Sequence, residues 1–424
     1  MTAEATLAVL ERAYARALEA AAPESCLPAA LARAARQGGA LVLGAGKAAA
    51  AMAAAFAAHW PGPVRGLVVT RYGHGLRRGE SSRGIEIIEA GHPSPDSASM
   101  AAGARLLELA GHVGPQESVH CLISGGGSAL AAAPLPGTTF ERKRAAADFL
   151  IRAGADIREI NCVRKHLSAL KGGRLARAAH PVPVTTYAIS DIPGDNVADI
   201  ASGPTIPDPT TQADAICILE RYDYRGLGEL RNVLDDAGCE SPKPDEPGFR
   251  NDSTHLIATA ATALEAAAGY LEHEGYEVML LGDDLDDEAQ ALGRRHAALA
   301  KQRLASGGRA AILSGGETRV VLGETAGRGG RNLVYLAALA LGLDGARGIY
   351  ALAADTDGID GHGDHAGGKV TPDTLARGAA RGVSLESLLT AHNTYDYFAA
   401  CDLLVRTGPT RTNVNDFRLI LCEP

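Results

Sequence analysis

Short runs rich in β-branched and aliphatic residues alternate with alanine-rich stretches of helical period along the chain, and that alternation admits few architectures. Predicted strands fall at 40–43, 66–70, 85–89, 119–123 and 185–189. A second series lies at 255–258, 277–281, 310–313, 349–353 and 403–405. Alanine-rich helices are predicted at 48–59, 97–110 and 261–274. Such a succession packs helices on both faces of a mainly parallel sheet. At 424 residues the chain exceeds what one hydrophobic core usually supports, so two doubly wound, Rossmann-like α/β domains are expected. The stretch 241–252, SPKPDEPGFRND, carries three prolines and mixed charges and is the predicted linker between domains at 1–240 and 253–424. No residue-level repeat relates the halves.

Composition excludes several classes of function. Hydrophobic residues make up 46% of the chain and aromatics only 4%, so alanine, leucine and valine do most of the packing. A formal net charge of −9 argues against a general nucleic-acid binder, which needs a basic face. The seven cysteines form no CxxC pair and read as reduced thiols of a cytoplasmic protein. The first residues read as an amphipathic helix without the order of a signal peptide. The most apolar stretch, 45–58, is interrupted by Lys47 and too short to span a bilayer.

The chemistry sits at predicted strand ends, where open α/β sheets bind ligands. Gly44-Ala45-Gly46-Lys47 follows one strand and precedes a helix, so its backbone can approach an anion and Lys47 adds a point charge. A tight turn with an exposed lysine explains it equally well. It is not a Walker A loop, because the spacing is absent and Ala48 stands where a hydroxyl would bind magnesium. Ser124-Gly125-Gly126-Gly127-Ser128 can present several N–H groups to a phosphate or carboxylate. Arg164-Lys165-His166 and Lys171-Gly172-Gly173-Arg174 could clamp phosphates, though a solvated face is the better reading for Arg177 and Arg174. Asp191 and Asp195 in SDIPGD could hold Mg²⁺ or accept a hydroxyl proton, and Asp195 could equally cap a turn.

In the second half, Ser314-Gly315-Gly316-Glu317-Thr318 ends a strand, and Gly327-Arg328-Gly329-Gly330-Arg331-Asn332 precedes a helix. Asp355-Thr356-Asp357-Gly358-Ile359-Asp360 departs from a calcium loop at Ile359, and Asp355 and Asp357 could shape the loop or bind metal. His362 and His365 are closely spaced but lack the further ligands a zinc site needs. Glycine-rich cradles, cations and carboxylates together make the inventory of phosphoryl transfer to a small acid.

The ordered set GAGKAA, AGHPSPD, SGGGSAL, NCVRKHLSALKGGRLA, SDIPGDNVADIASGPTIPDPTT, LSGGETRV, GRGGRN, DTDGIDG and TGPTRTNVND resembles the class II glycerate 2-kinase family, whose members carry a C-terminal MOFRL domain. The resemblance runs from about Leu41 to the C-terminus. It implies an active site in an interdomain cleft and transfer of the ATP γ-phosphoryl group to the 2-hydroxyl of D-glycerate, with Mg²⁺. It implies catalytic roles for Lys47, Asp191 and Arg331. Substrate or nucleotide binding would fall to Gly44, Gly46, Ser124, Gly125, Gly126, Gly127, Ser128, Arg164, Lys171, Glu317, Asn332 and Asn413. Asp191 and Asp355 are the implied metal ligands. The expected partners are a hydroxy acid and a nucleotide, with no nucleic acid and no membrane, and a homodimer is left open.

The sequence departs from the family where GRNQE is common, since Leu333 and Val334 follow Asn332, and where Arg411 replaces a glycine of GPTGTNVND. A related sugar acid as substrate is therefore an alternative. An NADPH-dependent reductase of hydroxypyruvate or tartronate semialdehyde is another, weakened by Thr70-Arg71 where an acidic ribose ligand would stand. A non-catalytic nucleotide-binding homologue is the third.

Overall fold

The computed structural model describes residues 2–32, 38–321, 327–361 and 363–424. The chain divides into two compact units. The first comprises Pro23–Ser190 and Asp195–Ile257; the second comprises Met1–Ala22, Asp191–Gly194 and Ala258–Pro424.

The first unit is built on β1 (Gly39–Ala45), β2 (Val64–Arg71), β3 (Ile85–Ala90), β4 (Glu117–Ile123), β5 (Val184–Ile189) and β6 (Ser253–Ala258). Their spatial order is β3-β2-β1-β4-β5-β6, and β3, β2, β1, β4 and β5 pair in parallel. The order reverses between β1 and β4, which opens a crevice at the carboxyl ends of those two strands. Strand β1 is buried from Ala40 onward, as expected of a strand covered on both faces. The helix Ala49–His59 buries nearly all of its alanines, which lets it lie close to the sheet. Asp156 and Glu159 close a capping box at the start of the helix Ile157–His166.

The second unit is also α/β, but its sheet is mixed. It contains β7 (Glu277–Leu280), β8 (Ala310–Ser314), β9 (Ile349–Asp355), β10 (Gly367–Val370), β11 (Leu404–Val405) and β12 (Asp416–Cys422), in the order β11-β10-β9-β12-β8-β7. Only β7 and β8 pair in parallel; every other pair is antiparallel. Two of those pairs are made by β10 and the other two by β12, both absent from the predicted strands; β12 inserts between β9 and β8 and is buried at all seven positions. Its opening Asp416 and Arg418 obscured the apolar run that follows. The helix Arg331–Leu343 buries ten of its residues, between this sheet and neighbouring helices of which Ala289–Ala305 is the chief.

The N-terminal helix Ala3–Ala21 packs against the helix Ala260–His273 in the second unit, whereas the sequence reading grouped it with residues 1–240. Tyr14 Oη donates to the Asp355 carbonyl at 2.7 Å, and Thr412 Oγ1 donates to the Ala21 carbonyl at 2.7 Å. The stretch 241–252 packs within the first unit, with Ser241 and Phe249 buried. Within it Pro247 opens a short 3-10 helix, Pro247–Asn251. Among the described residues no helix is long and apolar enough to cross a membrane.

Close approach of β1 and β2 depends on Gly66, which has φ +146° and on which a Cβ would overlap the Val42 carbonyl. Gly66→Ala is expected to cost about 1–3 kcal/mol through backbone strain alone. A lower urea midpoint at unchanged slope would show it.

Candidate functional site

At the carboxyl ends of β1 and β4 two glycine loops are clasped together. The Ala48 N–H donates to Ser124 Oγ at 3.0 Å, and the Lys47 N–H donates to the Gly125 carbonyl at 2.9 Å. A side chain at Gly46 would overlap Ser124, and one at Gly44 would overlap the Leu122 carbonyl, so both glycines are required by packing. Ser124 is fully buried and its hydroxyl is committed to the clasp. Gly126, at φ +79°, turns the chain into the short helix Gly127–Leu130 and brings Ser128 to its far side.

Ser128 joins the motifs of the first unit. Lys171 Nζ donates to its carbonyl at 2.9 Å and its hydroxyl at 2.7 Å. That hydroxyl also lies 3.2 Å from Ser202 Oγ, which donates to Asn161 Oδ1 at 3.2 Å. Asn161 Nδ2 in turn donates to Asp199 at 3.1 Å. Ala201, Ser202 and Gly203 are consecutive residues at φ +53°, +60° and +58°, a strained run that aims Ser202 at Ser128. Arg174 is buried and donates to the Lys165 carbonyl at 2.8 Å and the Cys239 carbonyl at 2.6 Å, so it braces the fold and is not a solvated face.

Beside Ser128 lies a cavity of about 310 Å³. Lys143, Arg164 and Lys171 line it, with Arg144 and Asp148 also on its wall. Burial holds the Lys171 ammonium well below its ordinary pKa, and Lys143 and Arg164 push it further down. Burial likewise lowers Lys143 to about 7, helped by Arg164 and Arg174. Arg164 is half-buried and its pKa is lowered by burial, against the pull of Asp148. Arg164 and Lys171 are among the residues the motifs singled out, and Lys143, which shares the cavity with them, is not. A signal for it exists: Lys143, Ala146, Ala147 and Leu150 share one helical stripe, and all four are buried.

In the second unit Arg331 opens its helix amid acids. Nη2 meets Asp355 at 2.6 Å, Nε meets Asp416 at 2.9 Å, and Nη1 meets Glu317 at 2.9 Å. Burial would lower its pKa, but Asp416, Asp355 and Glu317 raise it well above the ordinary value. Asn332 Nδ2 donates to Asp416 at 2.8 Å, and the N–H groups of Asn332 and Leu333 donate to Asp360. Burial and the charge of Asp416 push Asp360 up to about 7. Asn413 Nδ2 donates to Asp191 at 2.7 Å, so these two predicted residues do meet. Asp355 Oδ1 accepts the Asp357 N–H and Oδ2 accepts Arg331. Among the described residues no three His, Cys, Asp or Glu side chains gather as a metal site. His362 lies outside the described residues.

The departures from the family pattern are structural in character. Leu333 and Val334 belong to the hydrophobic core of the second unit. Arg411 is buried at φ +65°, so the backbone keeps a glycine's conformation under a bulky side chain.

A family model described as a domain of unknown function, DUF4147, matches residues 9–235, and the MOFRL family model matches residues 310–416. An Agrobacterium vitis protein provisionally named hydroxypyruvate reductase is 48% identical over 91% of this chain and 87% of its own. The D-glycerate 2-kinase of Thermotoga maritima is 37% identical over 83% of each chain. The crystal structure of glycerate kinase from Thermotoga maritima superposes with a TM-score of 0.89 at 34% identity, covering 99% of this chain and 100% of the other.

Because three carboxylates close on Arg331, its removal strands buried negative charge. Arg331→Ala is expected to cost about 3–5 kcal/mol of stability, measurable by chemical denaturation without any substrate.

Proposed function

The chain belongs to the MOFRL-domain glycerate 2-kinase family, and from that premise we propose that it transfers the γ-phosphoryl group of ATP to the 2-hydroxyl of D-glycerate, giving ADP and 2-phosphoglycerate. The observation that carries the reading is the cavity of the first unit. It is small, and Lys143, Arg144, Arg164 and Lys171 face a single carboxylate, Asp148. That balance suits a small anionic acid and disfavours a neutral one.

In phosphoryl transfer the protein's work is positioning and electrostatic stabilisation. Lys47 is the proposed cation of the first unit, set by the clasped loops at the end of β1. Asp191 is the proposed base that takes the 2-hydroxyl proton as the oxygen attacks phosphorus, and Asn413 orients its carboxylate. Arg331 is the proposed cation of the second unit, although Glu317, Asp355 and Asp416 neutralise much of its charge locally. Mg²⁺ would offset phosphate charge, and it needs only one or two protein carboxylates beside the phosphates. Asp191, which accepts from Asn413, and Asp355, which accepts from Arg331 and the Asp357 N–H, are the proposed carboxylates for it. The described cysteines are all free thiols, which supports a reducing, cytoplasmic setting.

The reductase name carried by the Agrobacterium vitis relative sets the second arm of the test. ADP release is followed with Mg²⁺-ATP and D-glycerate, L-glycerate or four-carbon sugar acids, with products identified by NMR. NADPH oxidation by hydroxypyruvate is measured in parallel. The 2-phosphate of D-glycerate is the expected product, and NADPH oxidation without any ADP release would overturn the kinase reading. Asp191→Asn is expected to lower kcat by roughly 10²–10⁴-fold, and near-normal turnover would remove it as base.

A further inference from the structure

Lys143 is the anomaly of the first unit. Its side chain is 8% exposed, it lines the cavity, and its ammonium nitrogen is buried without a hydrogen-bond partner among the described residues. An unpaired buried amine costs several kcal/mol in its charged form, so a fold retains one only where something offsets the cost. Neighbouring Lys171 shows the contrast, because its nitrogen is satisfied by both oxygens of Ser128. Nothing of that kind is supplied to Lys143. The helix that carries it, Phe140–Arg152, offers alanines and a leucine on the same stripe, any of which would pack there without penalty.

We propose that Lys143 is the side chain that binds the carboxylate of the hydroxy acid, and that the acid enters this cavity together with a proton. The proposal rests on the kinase reading for the identity of the ligand. The groups facing Lys143 are Arg144, Arg164, Lys171, Arg174 and His92, with Asp148 the one acid among them. Without ligand these surroundings and burial keep the amine largely neutral above pH 7. A carboxylate placed against it reverses the balance, since an opposite charge favours the ammonium form. The proton comes from solvent and stays on Nζ while the acid is bound; no covalent bond forms or breaks. A nucleotide phosphate offers the same oxyanion chemistry, so acid and nucleotide must be titrated separately.

Calorimetric titration of the full chain with D-glycerate, and separately with ADP, in buffers of different ionisation enthalpy counts the protons taken up. For the wild type, uptake with D-glycerate is expected to approach one proton at pH 8 and to vanish near pH 6, where Lys143 is already charged. Affinity for the acid is expected to fall toward tenfold per pH unit well above pH 7. In Lys143→Met and Lys143→Gln the uptake should disappear, and KM for the acid should rise at least tenfold with KM for ATP unchanged. Lys143→Met should unfold at a higher temperature than wild type at pH 8, because it replaces an unpartnered buried amine with an apolar side chain of similar length; this guards against loss of fold as an explanation. Uptake or affinity for D-glycerate that is identical in the variants and the wild type would overturn the proposal while leaving the kinase intact. Uptake with ADP alone would overturn the carboxylate assignment. Acid binding with Lys143-dependent uptake but no ADP release would support Lys143 and sink the kinase reading, and no binding of D-glycerate at all would sink both.

Discussion

The clasp between Gly44-Ala45-Gly46-Lys47 and Ser124-Gly125-Gly126-Gly127-Ser128 governs the first unit. A buried hydroxyl, Ser124 Oγ, accepts the Ala48 N–H, and the loops then fit only because glycines stand where side chains would collide. This contact ties β1 to β4 where the strand order reverses, so the crevice of the sheet has a fixed floor. Ser128 leaves that floor on the cavity side, and through it Lys171, Ser202 and Asn161 are held in one hydrogen-bonded chain. A glycine-rich loop at a strand end is usually read as a phosphate cradle. Here its first task is to make a rigid junction, and the cationic groups around the junction carry the chemistry.

The start of the helix Arg331–Leu343 in the second unit and the cavity of the first treat buried charge in opposite ways. In the second unit, Arg331 at the start of that helix is answered by three carboxylates, and Asp416 by Arg331, Arg418 and Asn332. Such a network is stiff, because moving one member exposes the others. Around the cavity of the first unit basic side chains gather with one acid, Asp148, on the same wall. Surplus positive potential in a low-dielectric recess is unfavourable for the empty protein and favourable for an arriving anion.

The α/β class, the first five strands of the first unit and the loops at strand ends were legible from alternation and glycine position, whereas β6, expected as a strand of the following domain, completes the first sheet instead. The antiparallel insertion of β12 was not, since its first residues are charged and only its tertiary neighbours make them strand. Asp191 and Asn413, 222 positions apart, were both flagged by motif and do touch, yet no spacing rule could have paired them. Ser124 was legible as special but not as buried. Lys143 was hidden for a different reason: a lysine in the run ERKR reads as solvated until its stripe of alanines and leucine is seen to face inward. Leu333 and Val334 looked like a lost polar contact and proved to be core.

The placement of the helix Ala3–Ala21 has a consequence in time. Tyr14 is bonded to a carbonyl 341 positions later, and the helix shares its unit with the final strand. At about 5–20 residues per second, a ribosome needs roughly 17–70 s to make the residues that separate those partners. The first unit, continuous from Pro23 apart from one short excursion, has its whole sheet before most of the second unit exists. Until the helix Ala260–His273 is made, the N-terminal helix carries an apolar face with Val9, Leu10, Ala13 and Ala17 and no native surface to cover it. Its last native contacts close only when synthesis has passed Thr412, so a segment made before the whole first unit is among the latest to be secured.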